Sequence, residues 1–124
     1  MNLVLNSEVC TLQILGVMNN TAPTFTSYPD KMAKFPMIIC NEPIQKPNQK
    51  KMKIDLLFTV DVWHNSIFET SRLFDKIIID LSKMNIMLVN NTPNFQDPIT
   101  KKWRKTGNFE TRYNCIANTY EINR

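Results

Sequence analysis

The stretch from Lys53 to Trp63 constrains the fold of this chain more than any other segment. Ile54, Leu56, Phe58, Val60 and Val62 alternate there with Asp55, Leu57, Thr59, Asp61 and Trp63. Period-two spacing of β-branched, aromatic and aliphatic residues predicts a strand with one wholly apolar face. Such a face must be covered, and the cover is written next in the chain. Ser66-Ile67-Phe68-Glu69 has the form of a capping box, in which a serine oxygen and a glutamate carboxylate satisfy amides at a helix start. Ile67, Ser71, Phe74, Ile77, Ile78 and Leu81 then recur at helical spacing, predicting an amphipathic helix. Leu57 and Trp63 on the strand's second face predict that this face too is partly covered, by a neighbouring subunit.

The other segments fit around that unit. Asn6-Ser7-Glu8 can cap a first helix whose stripe is Val9, Leu12, Ile14, Leu15 and Met18. Val9, Thr11, Gln13, Leu15 and Val17 also alternate and Gly16 weakens a helix, so an extended form stays open. Pro23 and Tyr28-Pro29-Asp30 mark extended chain and a turn. Phe35-Pro36-Met37-Ile38-Ile39-Cys40 reads as a buried strand ending before Pro43, and Gln45 to Lys51 as a solvated hairpin loop. Ile86 to Val89 is a short strand, and residues 90–108 form a protruding loop or hairpin. Phe109 to Glu121 returns as one alternating strand, with Phe109, Thr111, Tyr113, Cys115 and Ala117 on one face. Residues 1–124 are thus expected to form a single α+β domain, a mixed or antiparallel sheet of about four to five strands flanked by two helices.

Little in the chain points to catalysis. Gly16 and Gly107 are the only glycines, which excludes glycine-rich phosphate cradles. His64 is the only histidine; Asp61 and Glu69 lie near it, but the spacing matches no triad or metal motif, and it reads as a loop histidine at a strand end. Asp55, Asp61, Asp75, Asp80 and Asp97 form neither a D-x-D loop nor a paired acid and base, and are expected to serve solubility and edge protection. Cys10, Cys40 and Cys115 are odd in number and far apart, so they read as half-buried thiols, not a disulfide framework. No catalytic, cofactor-binding or metal-binding residue is expected. Met1 to Leu5 does not resemble a signal peptide, and no apolar run approaches the roughly 18 residues that span a bilayer. A soluble protein made in the cytoplasm, without a membrane partner, is the expectation.

The net charge of +4 is a mild positive field, compatible with an acidic protein partner or nucleic acid and diagnostic of neither. Its one concentration is Lys101-Lys102-Trp103-Arg104-Lys105. Three readings stay open: a solvated basic loop, a hairpin docking on protein with Trp103 and Arg104 as anchors, and a phosphate grip with Trp103 stacked on a base.

The order of segments resembles a known family. Tyr28-Pro29-Asp30, Phe35-Pro36-Met37-Ile38-Ile39 and Asp55-Leu56-Leu57-Phe58-Thr59-Val60-Asp61-Val62-Trp63, then a capped helix and an alternating C-terminal strand, resemble the small tail-terminator and tail-completion proteins of long-tailed bacteriophages. In that family a tyrosine-proline turn and a phenylalanine-proline strand start precede a long strand with a D-V-W/F ending. The resemblance covers most of residues 22–121; the departure is the N-terminal segment, where the family carries a longer first helix and only Asn6 to Met18 is available. It implies a ring-forming virion protein, hexameric in that family, located at the head-tail interface. The ring caps the tail tube protein, stops its polymerisation and joins it to the head-tail connector or stopper protein. The interface residues expected on these grounds are Leu57, Trp63, Lys101, Lys102, Trp103, Arg104 and Lys105, the basic hairpin facing either protein or DNA in the channel. A head-closure or neck protein, or a small basic nucleic-acid-binding module, is the alternative.

Overall fold

Apolar alternation becomes strand and apolar three-four spacing becomes helix along most of the chain, in a computed structural model that describes residues 3–29, 34–41, 43–48 and 52–122. Helix α1 (Leu3–Asn19) is followed by strands β1 (Thr24–Phe25), β2 (Met37–Cys40), β3 (Ile44–Asn48) and β4 (Lys53–His64), helix α2 (Ile67–Ser82), and strands β5 (Met87–Asn91), β6 (Phe95–Gln96), β7 (Trp103–Asn114) and β8 (Thr119–Glu121). This is an α+β fold with one mixed, eight-stranded sheet. Its spine is β4 paired antiparallel to β7 from Lys53↔Asn114 to His64↔Trp103.

Eight strands exceed the four to five expected from sequence because the flanks of this spine are broken into pieces. β2 and β3 follow one another along the outer side of β4, and β6, β5 and β8 along the outer side of β7. β1 adds the only parallel pairing among the described residues, to β2. Part of the loop expected at Gln45 to Lys51 is therefore strand: β3 sits at an edge, where Pro47 is tolerated because one flank needs no amide donor. Asp30 and Gln49 to Lys51 lie outside the described residues. The strand expected from Phe109 to Glu121 is two strands. Asn114 Oδ1 accepts from the amides of Ile116 and Ala117, both at 3.0 Å, and Asn118 takes φ 56°, so the chain reverses and Ala117 is exposed on a turn. Residues 90–108 hold the end of β5, all of β6 and the first half of β7, a hairpin that belongs to the sheet.

One face of the sheet carries both helices. Ile54, Leu56, Phe58, Val60 and Val62 of β4 and Phe109 and Tyr113 of β7 pack with Phe74, Ile77 and Leu81 of α2 and Cys10, Ile14 and Met18 of α1. Each such burial contributes about 1.5–3 kcal/mol. Phe58 stacks on Phe109 at 5.7 Å between ring centroids, and Phe74 crosses Phe109 at 6.3 Å. Gly107 makes this approach possible, since a Cβ there would come within 2.5 Å of the Phe74 ring.

Helix, not extended chain, wins in α1 because Cys10, Ile14 and Met18 recur at intervals of four and are all buried. α1 begins at Leu3, ahead of the expected Asn6 cap, and is longer than the Asn6 to Met18 segment. At α2, Ser66 Oγ accepts from the Glu69 amide at 3.2 Å as a capping box requires, while the Glu69 carboxylate meets the Ser66 hydroxyl at 3.3 Å. Among the described residues no helix is long and apolar enough to cross a membrane.

Candidate assembly face

Among the described residues the second face of the sheet has no helix over it. Because side chains alternate, it is built from the odd-numbered residues of β4 and the even-numbered residues of β7, and the register arranges them in rows across the strands. At one end, Met37, Trp63, Arg104 and Phe95 form a row. Next come Ile39, Asp61 and Thr106, with the Thr106 hydroxyl donating to Asp61. Thr59, Asn108 and Asn90 form a hydrogen-bonded ladder, at 2.8 Å for Thr59 to Asn108 and 2.6 Å for Asn108 to Asn90. Ile44, Leu57, Glu110 and Met87 make the next row. Beyond it the Arg112 guanidinium meets Asp55 at 2.7 Å and Lys53 meets Glu121 at 2.8 Å. Lys53 holds the Glu121 carboxyl below the ordinary carboxylate range.

Beside the polar ladder, the middle of this face carries apolar side chains left exposed by the described residues. Ile44 is 62% exposed, Leu57 38% and Met87 38%. Val89, an extra residue where the β5 to β7 register shifts, is exposed beside them. Ile44, Leu57 and Val89 line a cleft of about 450 Å³ whose other lining residues, Asn41, Phe58, Thr59, Asn90 and Asn108, carry no charge. Glu110 stands in the same row with no ion-pair or hydrogen-bond partner for its carboxylate among the described residues. No protein-family model and no curated protein sequence matches the chain. What the face can do is set by its own geometry: it offers a half-apolar surface with one carboxylate, Glu110, unpaired among the described residues, is bordered on one side by ion pairs, and is suited to another protein surface.

The expected interface residues separate into different environments. Leu57 is exposed on the open face as expected. Trp63 shares that face but is 5% exposed, so it is not a free patch. Tyr28 meets its ring edge-on at 5.3 Å, Phe35 lies at 6.3 Å, and the Arg104 guanidinium sits over it at 5.3 Å. The chain itself supplies the cover that was assigned to a neighbour. The Trp63 indole N–H is buried without a hydrogen-bond partner among the described residues.

The basic run does not form one patch, because β7 begins at Trp103 and strand alternation splits it. Arg104 lies on the open face between the Trp63 and Phe95 rings, at 5.3 and 5.8 Å. Trp103 and Lys105 take the opposite parity, and Lys105 extends over the Phe74 ring at 5.2 Å on the helix side. Lys102 donates to Asn65 Oδ1 at 2.7 Å and lies over the Phe35 ring. Lys101 is exposed at φ 62° in a turn organised by Asp97, whose carboxylate accepts from the amides of Thr100 at 2.7 Å and Ile99 at 3.1 Å. Those donors, the Thr100 amide first, hold Asp97 below the ordinary carboxylate range. Ile99 protrudes from this turn, 90% exposed.

His64 is where a strand-end histidine was expected. Its Nδ1 accepts from the Asn65 amide at 2.7 Å and lies 3.3 Å from Glu69 Oε2, in a shallow pocket with Arg72 and Lys76. Among the described residues no three His, Cys, Asp or Glu side chains form a metal-holding group. All three cysteines are free and fully buried, not half-buried; burial, followed by nearby Asp61, pushes the Cys40 thiol up to about 12.

Ile44, Met87, Val89 and Glu110 are the members of the open face that sequence reasoning missed. Their signal is register: once Leu57 is placed opposite Glu110, the row follows.

Proposed function

We propose that the protein is a structural virion subunit, a tail terminator of a long-tailed bacteriophage that works by assembling into a ring. The observation that carries this reading is the one-sided sheet: two helices bury one face, while Ile44, Leu57, Met87 and Val89 stay exposed at the centre of the other. A central apolar surface of that kind marks a site to be covered by protein. The resemblance of the Tyr28-Pro29, Phe35-Pro36 and Asp61-Val62-Trp63 segments supplies the particular assembly: a hexameric ring at the head-tail interface, between the tail tube protein and the connector or stopper protein. Capping acts by occlusion, since a bound ring denies the next tube subunit its docking surface.

The nucleic-acid reading loses ground, because a stacking platform needs its aromatic and its cations on one surface. Trp103 and Arg104 lie on opposite faces, and Arg104 is already engaged by two rings. Passive contact with DNA in a channel stays with Lys101, the exposed cation of the run.

Mass in solution by light scattering, with negative-stain imaging of the same sample, tests the ring. A ring of uniform subunit number is expected. A protein that stays monomeric at high concentration and fails to bind tail tubes overturns the reading.

A further inference from the structure

The ring reading leaves open which surfaces meet, and two uncovered surfaces of this chain fit each other. We propose that α1 of one copy lies across the open sheet face of the next, supplying the helix layer which that face lacks; this rests on the ring reading above.

The first surface is the outer side of α1. Val9, Leu12, Gln13 and Gly16 follow the i, i+3, i+4, i+7 rule of one helical face, and all are exposed, Leu12 by 64%. From Val9 to Met18 the helix carries no charged residue. Its inner side, Cys10, Ile14 and Met18, already fills the core. A helix apolar on both sides belongs between two layers, and the subunit provides only one.

The second surface is the row of Ile44, Leu57 and Met87 with Val89, on the opposite side of the sheet from α1. Three properties match the two surfaces. Both are poor in charge in a chain with 21% charged residues, as the core of a protein interface favours: α1 has no charged residue from Val9 to Met18, and the cleft beside Leu57 and Val89 is lined by uncharged residues. Their lengths agree: Val9 to Gly16 rises roughly 10 Å along a helix, and Ile44 to Met87 crosses three strand spacings, roughly 14 Å. Close approach is open at Gly16, where a Cβ would meet nothing within 4 Å, so the helix backbone can settle near the sheet.

Glu110 is the one charge in that row, and burying it without a partner would be costly. Gln13 answers it. Its Oε1 accepts from the Tyr120 hydroxyl at 2.7 Å, which leaves its amide N–H groups to donate to the neighbour's carboxylate.

Because the two surfaces differ and lie on opposite sides of the subunit, the contact is heterologous and repeats head to tail, which gives a ring where the rotation between copies closes and an open filament where it does not. A self-matching contact of α1 on α1, or of sheet on sheet, would stop at a dimer.

Cysteine cross-linking on the full chain separates these cases, since all three native thiols are buried. Leu12→Cys and Leu57→Cys proteins are treated with a short thiol cross-linker alone and as an equal mixture. The expected result is a covalent dimer in the mixture only. In parallel, Leu12→Asp should raise the dissociation constant of self-association by roughly 30-fold, as loss of a hot-spot side chain does, with circular dichroism unchanged. Cross-linking within either single variant overturns the head-to-tail pairing. Rings that persist without the mixed cross-link and tolerate Leu12→Asp overturn the α1 contact and leave the ring reading standing. A monomer under every condition overturns both.

Discussion

The two faces of the β4 to β7 ladder are written by alternate residues of the same strands, yet they follow different rules. On the helix side, Ile54, Leu56, Phe58, Val60 and Val62 meet Phe109, Phe74, Ile77 and Leu81, and every one is buried. On the open side the residues between them form a polar ladder, two ion pairs and an uncovered apolar row. Apart from the buried cluster of Met37, Ile39 and Trp63 at one end of the open side, a side chain on the first face determines whether the chain folds and one on the second what the folded chain meets.

Substitutions can break that division. The largest effect is expected at Phe109→Ala, which removes the ring that both Phe58 and Phe74 pack against and should cost about 3–5 kcal/mol in urea unfolding. Gly107→Ala follows: the added methyl runs into Phe74, and overpacking of this kind costs about 1–3 kcal/mol in the same measurement. Leu57→Ser on the open face should change monomer stability by less than about 1 kcal/mol while abolishing ring formation seen by light scattering. An unfolding cost there equal to that of Phe109→Ala would erase the distinction between the faces. Glu110→Gln should leave the melting curve in place and tighten self-association several-fold, because one desolvated carboxylate is removed.

The smallest expected effect is on pH dependence. Glu121 is held below the ordinary range by the Lys53 hydrogen bond, and Asp97 by the Thr100 amide. A carboxyl depressed in the folded state stabilises the fold above its unfolded pKa, and that contribution is lost as pH falls through the depressed value. Thermal melts between about pH 7 and about pH 3 should therefore show a shallower acid loss in Glu121→Gln than in the unsubstituted protein.

The helix-covered face was legible in the sequence because burial imposes a period. The alternation of Ile54 to Val62 and the spacing of Phe74, Ile77 and Leu81 are records of what each side chain touches. The open face obeys no such period, so its members had to be inferred from pairing. Trp103 to Asn108 reads as part of a polar stretch because Arg104 and Lys105, following Lys101 and Lys102, disguise a strand whose parity runs Trp103, Lys105, Gly107, Phe109. Extending the Phe109 alternation backwards would have shown that Trp103 and Arg104 point to opposite sides. The enclosure of Trp63 was out of reach, since Tyr28 and Arg104 approach it from distant parts of the chain. β3, β6 and β8 are short or polar, and exist as strands because β4 and β7 offer them edges.

The partners in the central ladder are far apart in sequence: Thr59 and Asn108, which bond across it, are 49 residues apart. During synthesis at 5–20 residues per second, β4 waits about 2–10 seconds for β7 to be made. Its apolar side is an aggregation hazard in that interval, but α2 is the next element out of the ribosome and carries its own cap at Ser66. The order of elements thus gives the newborn strand a shield before its partner exists.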